Sequence, residues 1–225
     1  GNLIPGGAPD FKEDDLALVA WYEHTLERLG VEIHLNTALT KEEILAANVD
    51  AVLIATGSNP KILPLDGKNK VFTAEDVLLD KVDAGQHVVI VGGGLVGCEL
   101  ALNLAEKGKD VSLVEMQDKL LAVNGPLCHA NSDMLERLVP FKGVQVYTSS
   151  KIVDTTEKTA VVDVDGELRE IEADSIVLAV GYSAEKSLYE DLKFEVADLH
   201  VVGDARKVAN IMYAIWDAYE VAANL

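Results

Sequence analysis

One stretch, HVVIVGGGLVGCELALNLAEKGKDVSLVEM from His87 to Met116, constrains this chain more than any other. Val88 to Val91 reads as an apolar strand. Gly92-Gly93-Gly94-Leu95-Val96-Gly97 then has the G-x-G-x-x-G spacing at a strand-to-helix turn. The helix runs on through Leu100, Leu102 and Leu104 to a stop at Gly108, and VSLVE supplies the second strand. Glycine spacing alone is a weak signal, but strand, turn, helix and strand in this order within about thirty residues make a dinucleotide-binding unit. Gly92 permits the tight turn, Gly94 lets a pyrophosphate approach the backbone, and Gly97 lets helix and strand pack closely. The helix N-terminus then faces the phosphates. The competing reading is a glycine-rich turn with no ligand.

Glu115 ends the second strand eighteen positions after Gly97 and is followed by Met116. An acidic side chain there accepts hydrogen bonds from an adenosine ribose, which favours NADH over NADPH. A 2′-phosphate at that place would meet a like charge, so a preference of at least about tenfold is expected. Two alternatives stay open at this point: Glu115 as a solvated strand end, and Lys119 as a partner for a phosphate.

On the N-terminal side, Leu16, Val19, Tyr22, Leu26 and Leu29 fall on one face of a helix over residues 13–29. Gly30 stops it, and Glu13-Asp14-Asp15 suits the dipole of its first turn. VEIHL reads as a strand, a short helix over residues 41–47 follows, and AVLIATG from Ala51 reads as a strand buried on both faces. Pro60 and Pro64 with LDGKNK break regularity where a domain crossing is expected. Thr73 with Asp76 caps a short helix.

Beyond the glycine unit, VQVYT, AVVDV and LREIEA read as an antiparallel meander, with Asp165-Gly166 as the turn between the last two. SIVLAVG, ending at Gly181, returns to a buried strand. LHVVGDA gives one more, and NIMYAIWDAYEVAANL a closing amphipathic helix.

Composition removes other functions. With 38 acidic against 19 basic side chains, a formal charge of −19 repels polyanions, so nucleic acid is not an expected partner. No apolar run approaches the ~20 residues a membrane span needs, and the N-terminus does not read as a signal peptide. Cys98 and Cys128 form neither a disulfide framework nor a redox dithiol, so a reducing cytoplasm is the expected location. Cys98 reads as a small apolar residue packed behind the glycine motif. Cys128 and His129 are adjacent in the loop NGPLCHANSD with no third orienting group, so no nucleophile–base pair is expected. The histidines lack ligand spacing, and no metal is expected. Trp21 and Trp216 lie on expected helices, where core or interface packing is the ordinary role.

VLIATGSNP, VVIVGGGLVGCELA, VSLVEM, SIVLAVGYSAE and LHVVGDA, in this order, resemble the C-terminal region of flavoproteins with two dinucleotide-binding domains. The likeness covers the whole chain. It is strongest to NADH:flavin oxidoreductases of the 2,4-dienoyl-CoA reductase, enoate reductase and trimethylamine dehydrogenase type.

That resemblance implies an α/β fold: a Rossmann-like NAD-binding domain, parallel sheet plus antiparallel meander, inserted in an FAD-binding domain that here lacks its N-terminal βαβ unit. The expected bounds are 1–68 for the first FAD-domain part, 69–184 for the NADH-binding domain and 185–225 for the last FAD-domain part. Ala55-Thr56-Gly57 and Gly203-Asp204 would contact FAD, with Asp204 accepting from a ribityl hydroxyl. Gly181 would join the cofactor contacts. Amides near Ile211 and Met212 would face the flavin pyrimidine edge. A plainer role for Asp204, capping the following helix, stays open.

Gly6-Gly7 cannot serve as the FAD adenylate motif, because no apolar strand precedes them and no third glycine follows at the right distance. The chain therefore reads as part of a longer polypeptide, whose missing N-terminal part would be a partner. Upstream, the resemblance implies FMN and a 4Fe-4S cluster. The expected function is hydride transfer from NADH to FAD, leading in the parent to reduction of an activated carbon–carbon double bond. An NADH oxidase or disulfide reductase, or a non-catalytic nucleotide-binding module, are the alternatives, and a homo-oligomer is left open.

Overall fold

The computed structural model describes residues 1–65, 68–122 and 128–225. The chain opens with a one-turn helix, α1 (Leu3–Gly6), then α2 (Glu13–Arg28), α3 (Lys41–Ala47), β1 (Val52–Ile54) and β2 (Ser58–Pro60). Next come β3 (Lys70–Thr73), α4 (Ala74–Leu78), β4 (His87–Val91), α5 (Leu95–Glu106), β5 (Asp110–Val114), α6 (His129–Phe141) and β6 (Gln145–Tyr147). β7 (Ser150–Thr155), β8 (Thr159–Val164), β9 (Glu167–Glu172) and β10 (Ser175–Leu178) follow. β11 (Tyr182–Ala184), α7 (Ser187–Leu192), β12 (Leu199–Val201) and α8 (Ile211–Ala222) complete the chain. Contacts divide it into two units: residues 1–4, 14–59 and 182–225 in one, residues 5–13 and 60–181 in the other.

The second unit is built on a five-stranded parallel sheet in the order β3-β10-β4-β5-β6. Its central strands are apolar at every second position on both faces, and both faces are covered. Val88 and Ile90 pack with Leu100, Leu104 and Leu135 on the helical side. Val89, Ile176 and Leu178 pack with Ala160, Val162 and Ile171 of the meander. Double coverage is why β4 and β10 read as continuous apolar runs. Thr73 caps α4 as expected, its hydroxyl accepting the Asp76 N–H.

The meander is β7-β8-β9, antiparallel throughout. Asp165 (φ 53°) and Gly166 (φ 89°) make its expected turn, since two successive positive φ values suit a tight hairpin. The first meander strand is not VQVYT. That segment forms β6, which leaves α6 and pairs parallel with β5, while SKIVDT forms β7. A helical crossover returns a strand parallel to its predecessor, and a left-handed Ser149 (φ 48°) then separates β6 from β7.

In the other unit β1 pairs in parallel with β12, and β2 and β11 form a separate two-stranded pair. Ile44, Ile54 and Leu192 are its buried apolar residues, packed with Val52, Leu188 and Val201. Several expectations fail here. β1 is not buried on both faces, because Leu53 is exposed. VEIHL is not a strand. Val31, Ile33 and Leu35 are exposed, and among the described residues no ladder reaches them, without which an extended segment has no strand to join.

α2 forms and ends as expected. Gly30 is left-handed (φ 70°), its N–H bonds the Glu27 carbonyl, and the Val31 N–H bonds the Leu26 carbonyl. Yet Leu16, Tyr22, Leu26 and Leu29 are exposed rather than in a core. Trp21 and Trp216 are likewise 56% and 58% exposed, which excludes core packing for both within this chain. α3 carries a capping box in which Thr40 and Glu43 satisfy each other's backbone N–H groups.

Candidate functional site

A cleft of about 640 Å³ opens over the glycine turn, within the size range of ligand sites. Its walls are Val91–Val96, Val114–Met116, Ser150–Ile152 and Ala179–Gly181, with Leu63. It thus brings together Gly92, Gly93, Gly94, Leu95, Val96, Glu115, Met116 and Gly181 from the sequence reading. Gly97 lies beneath, where α5 meets β4. The position at the carboxyl ends of β4, β5 and β10 is where parallel α/β sheets take ligands, so Ala179 and Val180 were findable from that rule. Ser150–Ile152 were missed because the strand carrying them was not recognised.

Gly92, Gly93 and Gly97 each have a specific neighbour. Gly92 has φ +110°, and a Cβ there would stand 2.4 Å from the Ala179 carbonyl oxygen. A Cβ on Gly97 would stand 1.8 Å from the Gly92 carbonyl oxygen. The Gly93 N–H donates to Glu115 Oε2 at 2.5 Å, and the Gln117 N–H donates to Oε1 at 2.7 Å. Glu115 is therefore tied to the turn and is not a free strand end. The Gly93 carbonyl accepts from the Leu121 N–H at 2.8 Å and from Cys98 Sγ at 3.4 Å. In a trans peptide the N–H points opposite to the C=O, so the Gly94 N–H points away from both. Together with the Leu95 and Val96 amides, which open α5 without helical acceptors, it forms an anion-seeking set at the cleft.

Cys98 is fully buried, and burial first, then the Glu115 and Glu99 charges, push its thiol up to about 12. It stays protonated at neutral pH and inert as a nucleophile. Cys128 is exposed. A thiol-reactive dye should therefore label Cys128 in the native protein and Cys98 only on unfolding; labelling of both at equal rates would contradict this packing.

His129 begins α6, so the expected NGPLCHANSD loop is helical from His129 onward, while residues 123–127 lie outside the described residues. Glu99, buried one turn into α5, holds Lys12 Nζ at 3.1 Å and Asn131 Nδ2 at 3.3 Å. Among the described residues no cluster of His, Cys, Asp or Glu is arranged to hold a metal ion.

Ala55, Thr56, Gly57, Gly203, Asp204, Ile211 and Met212 belong to the other unit. The Thr56 hydroxyl donates to the Glu185 carbonyl at 2.7 Å, and the Glu185 N–H donates to the Gly57 carbonyl at 2.9 Å, which ties the two crossing segments together. Hydrogen bonds from the Ser187 hydroxyl and amide hold the Glu185 carboxyl below its usual range.

Asp204 Oδ2 accepts from Ser58 Oγ at 3.0 Å, and Oδ1 accepts from the Ala209 N–H at 3.1 Å. The plainer helix-cap role fails. Asn210 caps α8, its side chain taking the Tyr213 N–H at 3.1 Å. That leaves the Ile211 and Met212 amides of the first turn without helical acceptors.

The chain is 53% identical over its full length to cinnamate reductase of Clostridium sporogenes, spanning 34% of that protein. It is 36% identical to an NADH oxidase of Thermoanaerobacter brockii over 90% of this chain and 32% of the relative. Among solved structures, 2-naphthoyl-CoA reductase superposes with a TM-score of 0.89 at 26% identity, covering the whole chain and 34% of that protein. Histamine dehydrogenase from a Rhizobium superposes with a TM-score of 0.73 over 86% of this chain and 33% of its own, and at 19% identity it shares the fold alone. The chain thus spans about a third of the length of the relatives it matches. Among the described residues no helix is long and apolar enough to cross a membrane. With residues 40–217 matching the family model, the chain belongs to the pyridine nucleotide-disulphide oxidoreductase family.

Proposed function

We propose that this region binds NADH in the glycine-turn cleft and contributes to FAD binding in a flavoprotein reductase. The observation that carries it is the turn: a carboxylate anchored on Gly93 beside the outward amide of Gly94, at the mouth of a largely apolar cleft. The Gly94, Leu95 and Val96 amides hold the diphosphate, and Glu115 keeps lone pairs for ribose hydroxyls. The apolar walls exclude water around the coenzyme. In the other unit, Asp204 would accept from a ribityl hydroxyl and the Ile211 and Met212 amides would donate to the flavin pyrimidine edge.

The donor and acceptor sets fit both groups. The bound cofactors supply the redox chemistry, a hydride passing from NADH to FAD. This chain supplies position and electrostatics, and no side chain of it serves as acid or base. In the parent, the electrons reduce an activated carbon–carbon double bond of the enoate type, a reading that rests on the cinnamate reductase likeness.

Adding NADH to the full-length protein under nitrogen tests it. Bleaching of the flavin band, reversed by cinnamate, is the expected result. Bleaching reversed only by oxygen makes it an oxidase, and no bleaching makes it a non-catalytic module.

A further inference from the structure

The turn that carries Asp204 is held from inside the last helix. Gly203 is left-handed (φ +61°), a conformation that glycine adopts easily and leaves as easily. Its N–H donates to Asp217 Oδ2 at 2.8 Å. The other oxygen of Asp217 takes the Arg206 guanidinium, from the residue that ends the same turn. Asp217 stands well inside α8, an unfavourable place for aspartate, whose short side chain competes for backbone hydrogen bonds. Its side chain is only 14% exposed against 59% for Arg206, so the carboxylate lies under the turn while the guanidinium closes it from outside.

Asp217 and the first-turn amides of Ile211 and Met212 share one rigid helix, and Asp204 is the residue next to Gly203. One carboxylate therefore sets where Asp204 stands relative to those amides. We infer that Asp217 is the positioning residue of the flavin-side turn, locking Asp204 and the α8 N-terminus into one register. The inference rests on the reading of that turn as a flavin contact.

In the full-length protein, Asp217→Ala is expected to weaken FAD binding about tenfold to a hundredfold, the range for loss of a charged acceptor. It should also alter the visible circular dichroism of the flavin that remains bound. Asp217→Asn keeps an oxygen for the Gly203 N–H, and Arg206→Gln removes only the outer clasp. Both should stay within about threefold of wild type. FAD affinity and dichroism unchanged in Asp217→Ala overturn the inference. So does an Asp217→Asn protein that folds yet loses FAD as fully as the alanine variant. If Asp217→Ala does not fold, the asparagine variant decides: retained flavin with native dichroism supports the role, and lost flavin ends it. Failure of the underlying reading looks different, because wild type and Asp204→Ala would then bind FAD equally or not at all.

Discussion

Gly97→Ala is expected to remove measurable NADH binding and to lower the unfolding temperature of the full-length protein's nucleotide unit by about 6–12 °C. The new Cβ would stand 1.8 Å from the Gly92 carbonyl oxygen, a backbone atom that no rotamer change can move aside. Gly92 is itself fixed, its N–H bonded to the Val114 carbonyl at 2.8 Å and its own Cβ direction blocked by Ala179. The clash is relieved only by lifting α5 from β4 and opening the turn. Overpacking of this severity costs about 3 kcal/mol or more, and about 2–4 °C accompanies each kcal/mol at this size. The same movement displaces the Gly94, Leu95 and Val96 amides that face the cleft.

Gly108→Ala is the control. Gly108, unlike Gly97, has a positive φ (+79°), and nothing stands within 4 Å of its Cβ position, so its cost is the backbone strain of about 1–2 kcal/mol. It should lose stability and keep NADH. Wild-type NADH affinity in a folded Gly97→Ala protein would mean that the diphosphate does not sit at this turn.

The contrast between those two glycines marks what the sequence could tell. Spacing between an apolar strand and a helix identified Gly92, Gly94 and Gly97, because close approach at a strand-to-helix turn leaves glycine as the residue that fits. β4 and β10 were legible for a related reason: strands covered on both faces have no polar positions to confuse the pattern. β6 and β7 were not. β6 has three residues and β7 (SKIVDT) is mostly polar, and their separation depends on which neighbour each one pairs with, information that lies in β5 and β8. VEIHL and the apolar face of α2 have the composition of buried elements, but burial needs a partner, and within this chain they are exposed. In the cleft, Glu115 was found from its distance to Gly97. Its bond to the Gly93 N–H was hidden, because a side chain closing on a backbone leaves no periodic trace.

With the coenzyme seated as proposed, that bond would set how strongly the cleft discriminates between NADH and NADPH. A 2′-phosphate beside the Glu115 carboxylate, at about 4–5 Å, meets a repulsion of roughly 3–4 kcal/mol per unit charge at an effective dielectric near 20, before screening. A free side chain would swing into solvent and avoid most of it. Glu115 cannot do so without giving up two backbone donors, Gly93 at 2.5 Å and Gln117 at 2.7 Å, each a charge-assisted bond of about 1.5–3 kcal/mol. Leaving costs about as much as staying. Screening therefore remains the main relief, and even a halved repulsion of about 1.5–2 kcal/mol gives a preference for NADH of about tenfold to thirtyfold, in the range expected from the sequence. Glu115→Gln should cut the NADH to NADPH affinity ratio by about tenfold or more, since it removes the charge. It should also weaken NADH itself modestly, because an amide nitrogen faces one of the two N–H donors that the carboxylate satisfied. Raising the salt concentration should narrow the wild-type preference and leave the glutamine variant nearly unmoved. Equal binding of NADH and NADPH by the wild-type protein at low salt would show that Glu115 does not face the ribose, and that its two backbone bonds serve the turn alone.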